Sequence, residues 1–189
     1  LGTPPGLIWI DAHLDAHTPE STPSGNPHGM PLAALLGKGA TEMVDIAGTA
    51  LDPARIAVLG VRSYESAEAS FLSDRGVQVF EMAEIHRRGL AAVFADALTI
   101  ASPEGRPYGI SLDLDAIDPE TAPGVSTPVS NGIASGDLCQ ALAGRLRSPS
   151  LVALEIAEYN PGNDPTHTTA RLAVALLAAA CSGGTARCD

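Results

Sequence analysis

The residues able to do chemistry in this chain fall into two short clusters, each directly after an apolar run. In Asp11-Ala12-His13-Leu14-Asp15, two carboxylates and an imidazole alternate with apolar side chains. On an extended segment, positions 11, 13 and 15 point to one side, so three potential metal ligands converge. The stretch Ser111-Leu112-Asp113-Leu114-Asp115-Ala116-Ile117-Asp118-Pro119 repeats the arrangement about one hundred positions later, with Asp113 and Asp115 sharing a face. One acidic residue after a strand is ordinarily a solvated strand end. Carboxylates gathered from two strand ends differ, because they cannot all stay ionised in close contact unless cations neutralise them. Oxygen ligands with one or two imidazoles suit Mn²⁺ better than structural zinc. Two ions bridged by shared carboxylates fit the ligand count.

The elements that must position these residues are legible as short apolar runs ending in polar side chains. Leu7 to Ile10, Ile56 to Val61, Val77 to Phe80, Tyr108 to Leu112 and Leu151 to Ile156 read as strands buried on both faces. Helical patterns lie between them: Tyr64 to Asp74, closed by Gly76; Leu90 to Ile100; Gly136 to Leu146, capped by Ser135; and Thr168 to Cys181, stopped by Gly183-Gly184. Alternating strands and helices predict a three-layer α/β fold, a parallel sheet flanked by helices, as one domain over residues 1–189. In open parallel sheets, ligands sit beyond the carboxyl ends of the strands. Asp11, Asp113 and Glu158 all stand there.

Composition narrows the classes. A net charge of −11 disfavours nucleic acid and anionic membranes as partners. It serves solubility, and where carboxylates cluster it attracts cations. The odd number and wide spacing of Cys139, Cys181 and Cys188 argue against a disulfide framework or a zinc knuckle and suit a reducing cytoplasm. The apolar stretch Leu172 to Cys181 is too short to span a bilayer. The chain opens on Leu1 and enters an apparent central strand almost at once, which reads as an N-terminal truncation.

Asp-Ala-His-Leu-Asp and Ser-Leu-Asp-Leu-Asp-Ala-Ile-Asp-Pro resemble the two signature motifs of the ureohydrolase family, which includes arginase and agmatinase. Ser24-Gly25-Asn26-Pro27-His28-Gly29 and Ala157-Glu158-Tyr159-Asn160-Pro161 resemble the arginase branch in particular. The resemblance runs from Leu7 to Gly183. It implies that Asp11 and Asp113 bridge two Mn²⁺ ions, that Asp15 binds one and that His13 and Asp115 bind the other. A hydroxide between the metals would attack the guanidinium carbon of a small guanidino substrate, giving urea and an amine. His28 matches a proton-moving histidine, Glu158 the carboxylate that holds the guanidinium, and Thr127 a threonine supporting that glutamate. Ser24 and Asn26 match positions binding the amino-acid end of arginine, and Glu65 a carboxylate meeting the α-amino group. Trimers or hexamers are the assembly the family implies.

Three departures accompany the resemblance. The family's upstream Gly-Gly-Asp-His segment, with a second metal-binding histidine, has no counterpart here. His17 stands where an asparagine contacting the substrate carboxylate is usual, a contact a histidine can still make by donating a hydrogen bond, and Glu155 stands where an aspartate is expected. L-Arginine hydrolysis to L-ornithine and urea is the first expectation. Action on agmatine, a guanidino acid or formimidoylglutamate, and a non-catalytic metal-binding fragment, are the rivals. His86 and His167 read as residues without a catalytic role.

Overall fold

Five apolar runs become five parallel strands in the computed structural model, which describes residues 3–182. They are β1 (Gly6–Ile10), β2 (Ile56–Val61), β3 (Gln78–Glu81), β4 (Tyr108–Asp113) and β5 (Leu151–Ala157). Every neighbouring pair is parallel, in the order β3-β2-β1-β4-β5. The chain thus builds outward from β1 through β2 to β3, then crosses back to lay β4 on the other side of β1. That reversal makes the β1/β4 boundary a topological switch point, where the connections leave a crevice beyond the carboxyl ends. Ile10 pairs with Leu112, so the next residues, Asp11 and Asp113, emerge side by side at that crevice.

The helices are α1 (Pro31–Leu35), α2 (Thr41–Ala47), α3 (Ser66–Ser73), α4 (Met82–Arg88), α5 (Leu90–Ala101), α6 (Ser135–Leu142) and α7 (Thr168–Cys181). Alternation along β1 assigns them to two layers. Ile8 and Ile10 join one core with Ile85, Val93, Phe94, Leu138 and Leu176 of α4 to α7. Leu7 and Trp9 join the other with Leu32 of α1 and Leu72 of α3. The expected sheet between two helical layers is therefore present. Packing is close at the base of β1: a side chain on Gly6 would meet the Ala101 carbonyl oxygen at 2.0 Å. Beside it the buried Arg55 guanidinium donates to the carbonyls of Pro4, Ala101 and Pro107 at 3.1, 2.9 and 2.7 Å.

Several expectations need correction. β1, β2 and β4 are buried throughout, but the edge strands β3 and β5 are not, and Val152 of β5 is 42 % exposed. An edge strand lacks a neighbour on one side, so an apolar run alone does not bury it. Ser135 is the first residue of α6, which follows Ala134 without a side-chain cap and ends at Leu142, short of Leu146. The short helices α1, α2 and α4 escaped the periodicity reading because five to seven residues show too little repeat. The stop at Gly183-Gly184, Leu1 and Cys188 lie outside the described residues. Cys139 is buried on α6 and Cys181 is free and exposed. Among the described residues, no helix is long and apolar enough to cross a membrane.

Candidate metal centre and adjoining cavity

Both signature segments turn sharply at the strand ends instead of running on extended. The Asp11 carboxylate accepts from the His13 backbone N–H at 2.8 Å, and the Asp113 carboxylate accepts from the Asp115 N–H at the same distance. Each aspartate thus closes a tight turn two residues wide, a habit of this short side chain. The convergence inferred from strand alternation is real, but these turns produce it. Asp15 arrives through a left-handed backbone, φ +49°. Alternation was the wrong reason for its placement.

A ring of polar contacts holds the cluster. Trp9 Nε1 donates to Asp11 Oδ2 at 3.0 Å, and the Ala12 N–H donates to Asp115 Oδ1 at 3.3 Å. His13 Nδ1 lies 3.4 Å from Asp11 Oδ1 and 3.2 Å from Asp115 Oδ2. Asp11, His13 and Asp115 each bring one ligand atom to within 4.8 Å of the others. Asp15 and Asp113 line the cavity of about 260 Å³ onto which His13 and Asp115 also open, with Asp11 buried behind them.

The electrostatics show what this cluster lacks. Burial raises the Asp113 carboxyl to about 9, reinforced by the charges of Asp11 and Asp115. Burial and the Asp11 charge raise Asp15 to about 8, and burial also raises Asp11. His13 runs the other way. Burial pulls it down, but hydrogen bonds to Asp11 and Asp115 outweigh that and lift it to about 10. Asp115 alone is lowered: burial acts against its charge, and the His13 and Thr127 contacts overcome it. One imidazolium cannot neutralise four crowded aspartates. Oxygen donors with one nitrogen and an unmet positive charge fit hard or borderline divalent cations such as Mn²⁺.

The rest of the cavity gathers residues from four further segments. Ser24, His28 and Gly29 come from the loop before α1, Ser63 and Glu65 from the end of β2, Thr127 from the loop after β4, and Glu158 from the end of β5. His28 and Glu158 are exposed, and Glu158 adopts φ +60°. A non-glycine residue in the left-handed region is strained, and such strain gathers at functional positions. Asp15 and Glu158 are two of the five such residues described, and both line this cavity. Asn26 is not among the lining residues; its N–H donates to Ser24 Oγ at 3.2 Å. Thr127, expected to support Glu158, instead donates to Asp115 Oδ2 at 2.8 Å. Asp118 orders its loop, accepting from the N–H groups of Glu120 and Gly132, both at 3.0 Å. Glu155 receives a 3.4 Å hydrogen bond from Ser111. His86 is exposed in the last turn of α4, and His167 precedes α7 outside the cavity.

Two residues escaped sequence reasoning. Glu68, 4 % exposed, accepts from the Ala16 N–H at 3.0 Å and the Glu65 N–H at 3.1 Å. An acidic residue three positions after a helix start is the signal that would have found it. Arg62 uses all five of its donors on carbonyls: Ser130 at 3.1, Gly60 at 3.0, Ala116 at 3.2, Asp115 at 2.8 and Val129 at 2.7 Å. It ties the β4 ligand loop to the 129–130 loop and to the bulge at Gly60. Gly60 itself has φ +94°, and a side chain there would meet the Asp11 carbonyl oxygen at 3.0 Å. Nothing in the local sequence marks Arg62, since its partners are distant.

Residues 1–182 match the Arginase family. Over 174 residues the chain is 37 % identical to the arginase of Bacillus caldovelox, covering 91 % of this chain and 58 % of that protein. The chain thus spans a little over half the length of this curated relative. The native structure of B. caldovelox arginase at pH 5.6 superposes with a TM-score of 0.88 at 36 % identity, covering 93 % of this chain and 60 % of that one. The Entamoeba histolytica arginase in complex with L-ornithine superposes with a TM-score of 0.87 at 31 % identity, covering 94 % and 60 %.

Proposed function

The chain belongs to the arginase family, and from that premise we propose that its protein hydrolyses a guanidino group, foremost that of L-arginine, to urea and L-ornithine. The observation that carries the reading is one cavity lined by His13, Asp15, Asp113 and Asp115 of the carboxylate cluster together with His28 and Glu158. Asp11, His13, Asp15, Asp113 and Asp115 would hold two Mn²⁺ ions, which when bound supply the means of ionising water near neutral pH. The L-ornithine held by the E. histolytica relative agrees with the proposed product.

Within that cavity each side chain has a task its chemistry suits. The Glu158 carboxylate pairs with the planar guanidinium, two acceptor oxygens facing two N–H donors. That pairing fixes the carbon to be attacked. His28, exposed in its loop, delivers a proton to the departing amine nitrogen, work for which imidazole is suited near neutral pH. Ser24, on the cavity wall, receives the α-carboxylate directly or through water, with Asn26 bonded beside it through its backbone N–H. Thr127 acts one step back, orienting Asp115 through the hydrogen bond described above. A homo-oligomer, trimer or hexamer, in the cytoplasm completes the reading, and sedimentation checks the assembly.

The deciding experiment is urea release from the Mn²⁺-loaded protein offered L-arginine, agmatine and a guanidino acid. Urea from arginine supports the reading. Metal bound with no urea from any of the three would leave a metal-binding protein without this chemistry. Glu158→Gln should keep the metal content while kcat/KM for arginine falls by about 100-fold or more, as expected for losing a charge partner. Unaltered kinetics would remove Glu158 from the guanidinium site.

A further inference from the structure

The end of the cavity formed by His17 and the start of α3 contains a second group of facing side chains. His17, only 5 % exposed, places Nε2 3.0 Å from Glu65 Oε2 and 3.3 Å from Glu68 Oε2. Its other ring nitrogen, Nδ1, sits 3.1 Å from Ser21 Oγ. Two carboxyl groups face Nε2, and an ionised carboxylate only accepts, so the arrangement suits the tautomer with its hydrogen on Nε2. The same Glu68 carboxylate already accepts two backbone N–H groups.

An α-ammonium group of a bound amino acid needs carboxylate acceptors on this wall. Asp15, Asp113 and Asp115 belong to the metal cluster, and Glu158 is assigned to the guanidinium. Glu65 and Glu68 are the carboxylates that remain on the cavity wall, and His17 Nε2 already faces both, hydrogen-bonded to Glu65 and 3.3 Å from Glu68. Selectivity against a substrate lacking one polar group arises when the site's own buried partner is left unpaired. Here His17 supplies the partner, so a substrate without an α-amino group leaves nothing unpaired.

We propose that His17 is a specificity-determining residue that fills the ammonium position at Glu65 and Glu68, so that the site accepts ω-guanidino carboxylates lacking the α-amino group on nearly equal terms with arginine. This rests on the guanidino-hydrolase reading for its substrate class, while the His17 contact stands on geometry alone.

The matched pair for the test is L-arginine and 5-guanidinopentanoate, which differ only in the α-amino group. With the Mn²⁺-loaded full-length protein, the two kcat/KM values should lie within about tenfold. His17→Asn, too short to serve both carboxylates, should raise the preference for arginine by at least about tenfold, chiefly through KM. A second measurement needs neither turnover nor a variant: calorimetric Kd values for L-ornithine and 5-aminopentanoate on the unmodified protein should also lie within about tenfold. Preference for the α-amino compound above about a hundredfold in either measurement overturns the proposal. So does an unchanged ratio in a folded His17→Asn protein. Urea from neither guanidino compound, with the two amino acids still bound alike, would overturn the hydrolase reading and support the His17 assignment.

Discussion

The two ends of the cavity are built from the same side chains and solve opposite problems. At the metal end, Asp11, Asp15, Asp113 and Asp115 crowd around one histidine, and three of the four are raised. At the far end, Glu65 and Glu68 both face His17, and Glu68 also accepts a pair of backbone N–H groups. The far end satisfies its own acceptors. The metal end does not, and its remaining demand is positive charge. A cluster of carboxylates is therefore read less by how many it holds than by how many donors the chain returns to it.

The sharpest way to break this comparison is Asp113→Ala, which removes a carboxyl that burial and the Asp11 and Asp115 charges raise to about 9. Metal content and urea release should both fall to the metal-free baseline, while binding of L-ornithine at the far end persists. Retained turnover would show that Asp113 bridges nothing. Arg62→Met comes next, since it leaves five carbonyls without their donor. It should cost about 3–5 kcal/mol of stability and weaken Mn²⁺ binding measured by titration. A stable variant with ordinary metal affinity would show that the Asp115 loop holds itself. The smallest effect belongs to Glu68→Gln, which leaves one backbone N–H without its acceptor and costs about 1–3 kcal/mol. Thermal unfolding should register that loss while Mn²⁺ affinity shifts by less than about tenfold. A larger shift would mean the two ends are coupled and the contrast between them too simple.

Much of the site was legible because its signals are local. Short apolar runs ending in Asp11, Asp113 and Glu158 encode strands and their carboxyl ends, and β1, β2 and β4 lie where those runs place them. Helix α7 matches its expected limits, Thr168 to Cys181, because fourteen residues give the helical repeat room to show. Exposure of β5 was not legible, since a strand's place in the sheet is not written in its own residues.

Local sequence specified which side chains are candidate ligands, their position at strand ends and the alternation that splits Leu7 and Trp9 from Ile8 and Ile10. Only the tertiary structure decided who meets whom. Asp11 stands beside Asp113 because β4 pairs with β1. Thr127 serves Asp115 instead of Glu158, and His17 serves Glu65 and Glu68 from 48 and 51 positions away. The reason is physical. Periodicity and turn chemistry act over a few residues and need no partner, whereas a hydrogen bond between distant segments exists only once the strand order has brought its donor and acceptor together.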